Sequence, residues 1–115
     1  MSKPWPPPPD LASIQELLRA ADPEGHLAEG APADEYEPEE EQLFAAIRHF
    51  TTAQLLASNL TPILEDIWRR NFTLDDEALA SRRPALLSLA KEIERFFGPE
   101  SRPRTRAQIL AGNDA

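Results

Sequence analysis

The sequence predicts an all-α, single-domain protein: a small multihelical fold of about four helices around one core. Three observations lead there. Apolar residues recur at helical spacing in four stretches, no stretch alternates with period two, and valine is absent from the whole chain. A chain of 115 residues holds one core and is too short for two ordinary domains. The organisation expected is a proline-rich arm over residues 1–9, a helical domain over 10–99 and a polar, basic tail over 100–115.

In the arm, proline removes backbone donors and fixes φ, so an extended, polyproline II-like course is expected. Lys3 through Pro9 also fits a basic-x-x-Pro-x-x-Pro ligand pattern, although short matches arise by chance in any proline tract. Asp10 offers an N-cap, and Leu11, Ile14, Leu17 and Leu18 then line one helical face, which predicts a helix over 11–21. Asp22-Pro23-Glu24-Gly25 ends it, because a residue before proline is pushed out of the α region and Gly25 admits a positive φ.

Residues 22–41 carry nine carboxylates and no Lys or Arg, with only Leu27 and Tyr36 as sizeable apolar groups. Such a segment cannot build its own core and is expected to lie outside it. Pro38 suits the first turn of a second helix, where Glu39, Glu40 and Glu41 complement the positive end of the macrodipole. Leu43, Phe44, Ile47 and Phe50 form its stripe, ending near Phe50.

Thr51 or Thr52 is placed to cap a third helix carrying Leu55, Leu56, Ile63, Leu64, Ile67 and Trp68, with a kink or break expected around Ser58-Asn59 and Pro62. Glu65 with Arg69, and Asp66 with Arg70, have the favourable acid-before-base spacing and mark its solvent side. Asp75 is read as the cap of a short turn through Leu79. A last helix then follows Ser81 and Pro84, with a stripe of Leu86, Leu87, Ala90, Ile93 and Phe97 closed by Gly98-Pro99. Beyond it only Ala107–Ala111 could form another turn.

Composition narrows function by exclusion. A net charge of −8 and a pI near 4.7 oppose general nucleic-acid binding, since phosphate backbones reward clustered Lys and Arg. Without cysteine there is no disulfide, thiolate metal site or cysteine nucleophile. The amino terminus has no apolar leader and no run is long enough to span a bilayer, so membrane and secretion lack support and the cytoplasm is the expected location. Gly-x-Ser-x-Gly, His-Glu-x-x-His and phosphate-cradling glycine loops are missing, so no enzyme and no cofactor is expected. Asp34, Glu35 and Glu37 lack the turn glycine and distal bidentate Glu of a calcium loop. His26 and His49, the only imidazoles, read as exposed side chains and not as metal ligands.

Asp22-Pro23-Glu24-Gly25, then Ala31-Pro32-Ala33-Asp34-Glu35-Tyr36 and an amphipathic helix pair, resembles the YugE-like family of small bacterial helical proteins over about residues 11–75. The resemblance implies a short multihelical domain in which an Asp-Pro-x-Gly turn and an acidic Asp-Glu-Tyr segment join the first two helices. It implies no activity.

The leading expectation is a non-enzymatic, protein-binding domain that presents its acidic segment to a basic protein partner, as a small immunity protein does. Asp34, Glu35, Tyr36, Glu37, Glu39 and Glu40 are the candidate partner-binding residues, with Tyr36 expected to dock its ring back onto the core. Two other classes stay open. One is a carboxylate-based, divalent-cation-dependent protein or small enzyme. The other is a self-associating structural module in which the acidic loop of one chain meets Arg82, Arg83, Arg95, Arg102, Arg104 and Arg106 of another. The sequence leaves the oligomeric state undetermined.

Overall fold

The computed structural model describes residues 8–101, and the fold is all-α with no strand among them. The arm, except for Pro8 and Pro9, and the tail beyond Ser101 lie outside the described residues, as does the helical turn expected over 107–111. Four helices follow in order: α1 (Leu11–Ala21), α2 (Glu37–Ile47), α3 (Ala57–Phe72) and α4 (Asp76–Phe97). Neighbours pack round a ring, α1 on α2, α2 on α3, α3 on α4 and α4 back on α1.

Side-chain pairs fix the directions. Arg19 at the end of α1 bonds Glu40 at the start of α2, and Asn71 at the end of α3 bonds Glu39, also at the start of α2. Between α3 and α4 the pairs run in reverse order, Ala57 with Glu94, Glu65 with Arg83 and Arg69 with Asp76. The α3–α4 pair is therefore antiparallel, and the end-to-start contacts of α1 with α2 and of α3 with α2 fit an up-down order. The 22–36 connector and the short α3–α4 turn share one end of the bundle.

Local chemistry explains most boundaries. Asp10 is extended and its carboxylate accepts from the Ser13 N–H at 2.9 Å, so α1 begins where its cap predicts. It ends at Asp22, in the left-handed region at φ 44°, whose N–H donates to the Leu18 carbonyl. α2 starts one residue before Pro38 and stops at Ile47, short of the expected Phe50. There the Phe50 N–H bonds back to Ile47 and the chain turns into a single 3-10 turn, Thr52–Gln54, with the Gln54 side-chain oxygen accepting from the Thr51 N–H at 2.8 Å.

Two expectations need correction. The segment from Thr51 divides at Leu55 and Leu56, upstream of the Ser58-Asn59 and Pro62 positions, and α3 carries Pro62 inside it. Its free N-terminal amide at Ala57 is met by the Glu94 carboxylate of α4 at 2.6 Å, a cap from another helix that local sequence does not reveal. Gly98 makes that junction tight: a Cβ there would stand 2.5 Å from the Glu94 carbonyl oxygen and 2.8 Å from that of Leu55. Asp75 does cap a helix, accepting from Ala78 N–H, but α4 runs unbroken through Pro84 to Phe97. Ala80 and Pro84 are both exposed, so the carbonyl that loses its helical donor lies on the wet side.

The core gathers Ile14, Leu17, Leu18, Tyr36, Leu43, Ile47, Leu55, Leu60, Leu64, Ile67, Trp68, Leu79, Leu86, Leu89, Ala90, Ile93, Phe96 and Phe97. Leu87, expected in the α4 stripe, is 41% exposed, and Leu89 takes the inward position. Asp66 and Arg70 pair along α3 as expected, but Glu65 reaches Arg83 and Arg69 reaches Asp76, so these two fasten α3 to α4. Among the described residues no helix is long and apolar enough to cross a membrane.

Candidate binding surface at the acidic connector

The connector lies over its end of the bundle and is divided into an inner and an outer face. Asp22 organises the inner face. Its carboxylate accepts from the Leu27 and Ala28 N–H groups at 3.1 and 2.9 Å and from the Tyr36 hydroxyl at 2.6 Å. That hydroxyl also accepts from the Glu24 N–H at 2.9 Å, so one tyrosine ties both ends of the connector together. Gly25 and Gly30, at φ 74° and 101°, supply the turns between.

Glu24 is the inward anchor. Its side chain is 6% exposed, and its carboxylate accepts from Trp68 Nε1 at 2.9 Å and from Arg82 Nε at 2.9 and 3.1 Å. One carboxylate from the connector thus joins α3 to α4. The Tyr36 ring lies over Trp68 with centroids 6.2 Å apart and is itself fully buried. Tyr36 is therefore a core residue and not a surface contact. Burial, and then the bond to Asp22, push its hydroxyl far above the ordinary tyrosine range. For Asp22 burial opposes the charged form, but the Tyr36 hydroxyl and the two backbone donors prevail and hold its carboxyl below the usual range.

Glu39 and Glu40 also turn inward, which removes them from the candidate binding set. Glu40 is fully buried and receives Arg19 through two contacts, Nε to Oε2 at 3.1 Å and Nη2 to Oε1 at 3.2 Å. This pairing, chiefly through the side-chain hydrogen bond, raises Arg19 further above its ordinary value. Glu39 is 5% exposed, and Asn71 Nδ2 donates to it at 3.0 Å. Burial pushes its carboxyl upward. Periodicity around Leu43 and Ile47 puts both glutamates on or beside the inward face, a signal available in the sequence. The charge alone argued the other way.

The outer face keeps Asp34, Glu35 and Glu37, all exposed, with Glu29 and Glu41 exposed as well. Of these, Glu35 stands 3.4 Å from His26 Nδ1. His49 is exposed as expected, whereas His26 is half-buried between Tyr36 and Phe72. Among the described residues no group of three or more His, Cys, Asp or Glu side chains is arranged to hold a metal ion.

The arrangement offers a row of solvated carboxylates on a backbone fixed from beneath. That can attract and orient a positively charged surface. Comparison of the chain with family models, with curated proteins and with solved structures finds no match.

Proposed function

We propose that this chain is a non-enzymatic binding domain of the YugE-like kind, possessing an outer connector face that takes a basic protein partner in the manner of an immunity protein. The observation that supports this reading is the split within one segment. Asp22 and Glu24 lock the connector from inside, which leaves Asp34, Glu35 and Glu37 exposed on it. A surface held in place before binding loses less conformational entropy on association than a floppy acidic tail would.

Carboxylates on such a face act over a distance set by salt, about 8 Å at physiological ionic strength. They speed encounter with a basic partner more than they tighten the final complex. The partner surface is thus one rich in Arg and Lys.

The test compares the wild-type chain with a D34N/E35Q/E37Q variant, each immobilised and exposed to native bacterial lysate, then eluted with a salt gradient. A basic protein retained by the wild type is identified and titrated against both chains. The expected result is at least about tenfold weaker binding by the variant, with a shallower salt dependence. Equal affinity for the two chains would refute the reading.

A further inference from the structure

Two buried glutamates stand next to each other at the start of α2, and among the described residues a base pairs with only one of them. Glu40 is fully buried and receives the Arg19 guanidinium through two contacts. Glu39 is 5% exposed and forms no ion pair with Lys, Arg or His among the described residues. What crosses to it from α3 is a neutral amide. Asn71 Nδ2 donates to its Oε2 at 3.0 Å, and Asn71 is itself held by a reciprocal exchange with the Gln42 amide at 3.0 and 3.3 Å.

α2 packs on α1 and α3, and the connector leads into its first turn. From α1, Arg19 is committed to Glu40. In the last turn of α3, Arg69 reaches Asp76 and Arg70 reaches Asp66. From the connector Glu39 feels Glu35, against which His26 stands at 3.4 Å, and within α2 it feels Glu40. Burial above all, then these two carboxylates, prevail over the bonds from its own backbone N–H and from Asn71, so its carboxyl lies above the ordinary glutamate range. The Asn71 bond is open to both forms, since a protonated carboxyl keeps an accepting oxygen. What the proton decides is whether the seam between the helices holds a charge with no base beside it.

We propose that Glu39 is a proton-sensitive joint between α2 and α3: carrying its proton it closes the seam as a neutral, hydrogen-bonded group, and ionised it sets an unpaired charge there that weakens the packing of the two helices. This goes beyond the binding role, because it belongs to the free chain and needs no partner. Glu39 holds its proton more tightly in the folded chain than in the unfolded one. Its contribution is therefore fully present below the unfolded value, about 4.3 for glutamate, and is lost as pH rises through the higher folded one. Asp22, whose carboxyl is depressed, works in the opposite sense.

Thermal unfolding of the full chain at about pH 4 and about pH 7.5 tests it, with wild type, E39Q and E40Q. Glutamine keeps the shape of the side chain and an oxygen for Asn71 but carries no charge at either pH. E39Q is expected to melt about 3–6 °C above wild type at pH 7.5 and within about 1 °C of it at pH 4. E40Q is the control of opposite sign, melting below wild type at pH 7.5 because Arg19 loses its carboxylate. An E39Q chain that melts at or below wild type at pH 7.5, or that gains equally at both pH values, would overturn the joint. So would a gain in E40Q as large as that in E39Q, since the presence of a base would then make no difference. None of these results bears on the partner, which is read separately from the affinity of D34N/E35Q/E37Q.

Discussion

The acidic segment from Asp22 to Glu41 uses one residue type in two opposite ways. Asp22, Glu24, Glu39 and Glu40 point inward and are each met by donors: a hydroxyl and two amides, an indole with a guanidinium, an amide side chain, and a guanidinium. Asp34, Glu35 and Glu37 are exposed, with Glu35 also standing 3.4 Å from His26 Nδ1. Burying a carboxylate is costly unless it is fully bonded, so each inward acid implies a partner on another element. The outward acids imply nothing about the fold. Substitutions on the two faces should therefore differ sharply in stability.

The largest separation is expected at Trp68, where the inner face rests. Trp68→Ala removes a fully buried ring that stacks with Tyr36, packs at a tilt against Phe72 and bonds Glu24. It should cost about 3–5 kcal/mol by urea unfolding. Next comes Arg19→Met, which strands Glu40 in the interior. Because Arg19 is 33% exposed, water can partly replace it, and the expected loss is about 2–3 kcal/mol, below that of a fully buried pair. Adding Glu40→Leu should return most of it, since an apolar replacement of both partners is often neutral. No recovery in the double variant would mean that the pair does more than satisfy itself.

Tyr36→Phe sharpens the comparison on the pH axis. It keeps the ring and removes the hydroxyl that bonds Asp22 and receives the Glu24 N–H, at about 1–2 kcal/mol near neutrality. The carboxyl of Asp22 is depressed in the folded chain. Its contribution is therefore present above the unfolded value, near 3.9 for aspartate, and is lost as pH falls through the folded one. With the hydroxyl gone that acid loss shrinks, so the urea midpoints of wild type and variant should converge below about pH 4. Parallel pH curves would assign the stabilisation to packing alone.

Local signals in the sequence were enough for the all-α class and for most of its parts. Asp10 with the Leu11, Ile14, Leu17 and Leu18 spacing gives α1 its observed bounds, and Leu43, Ile47, Leu64, Ile67, Leu86 and Ile93 all reach the core. What failed depended on other elements. Pro84 does not break α4 because its position is exposed, and Ala57 is capped by a carboxylate 37 residues away. Leu87 and Leu89 lie two apart on one helix, and only the packing of α3 against α4 decides which is wet. For the binding face, charge pattern found the right segment but could not divide it, since Glu40 requires Arg19 and Glu24 requires Trp68. The Asp-Pro-x-Gly and Asp-Glu-Tyr residues lie next to one another in the fold through Asp22, Gly25 and Tyr36. This gives those two short runs a structural purpose independent of any partner.

The smallest stability effect is expected on the outer face, and it is the most direct way to break the comparison. D34N/E35Q/E37Q removes three exposed charges from a segment that contains no Lys or Arg. Like-charge repulsion falls, and what is lost is the approach of His26 to Glu35, together with the weak attraction of Asp34 and Glu37 for Arg19. These terms oppose each other and each is screened by solvent, so the variant should unfold within about 0.5 kcal/mol of wild type at neutral pH and moderate salt. Added salt should shrink even that difference, because both contributions act through water. A loss of several kcal/mol would place Asp34, Glu35 or Glu37 among the structural acids and leave no outer face to present. A chain that keeps its stability while losing its basic partner would separate the acids that build the fold from those that use it.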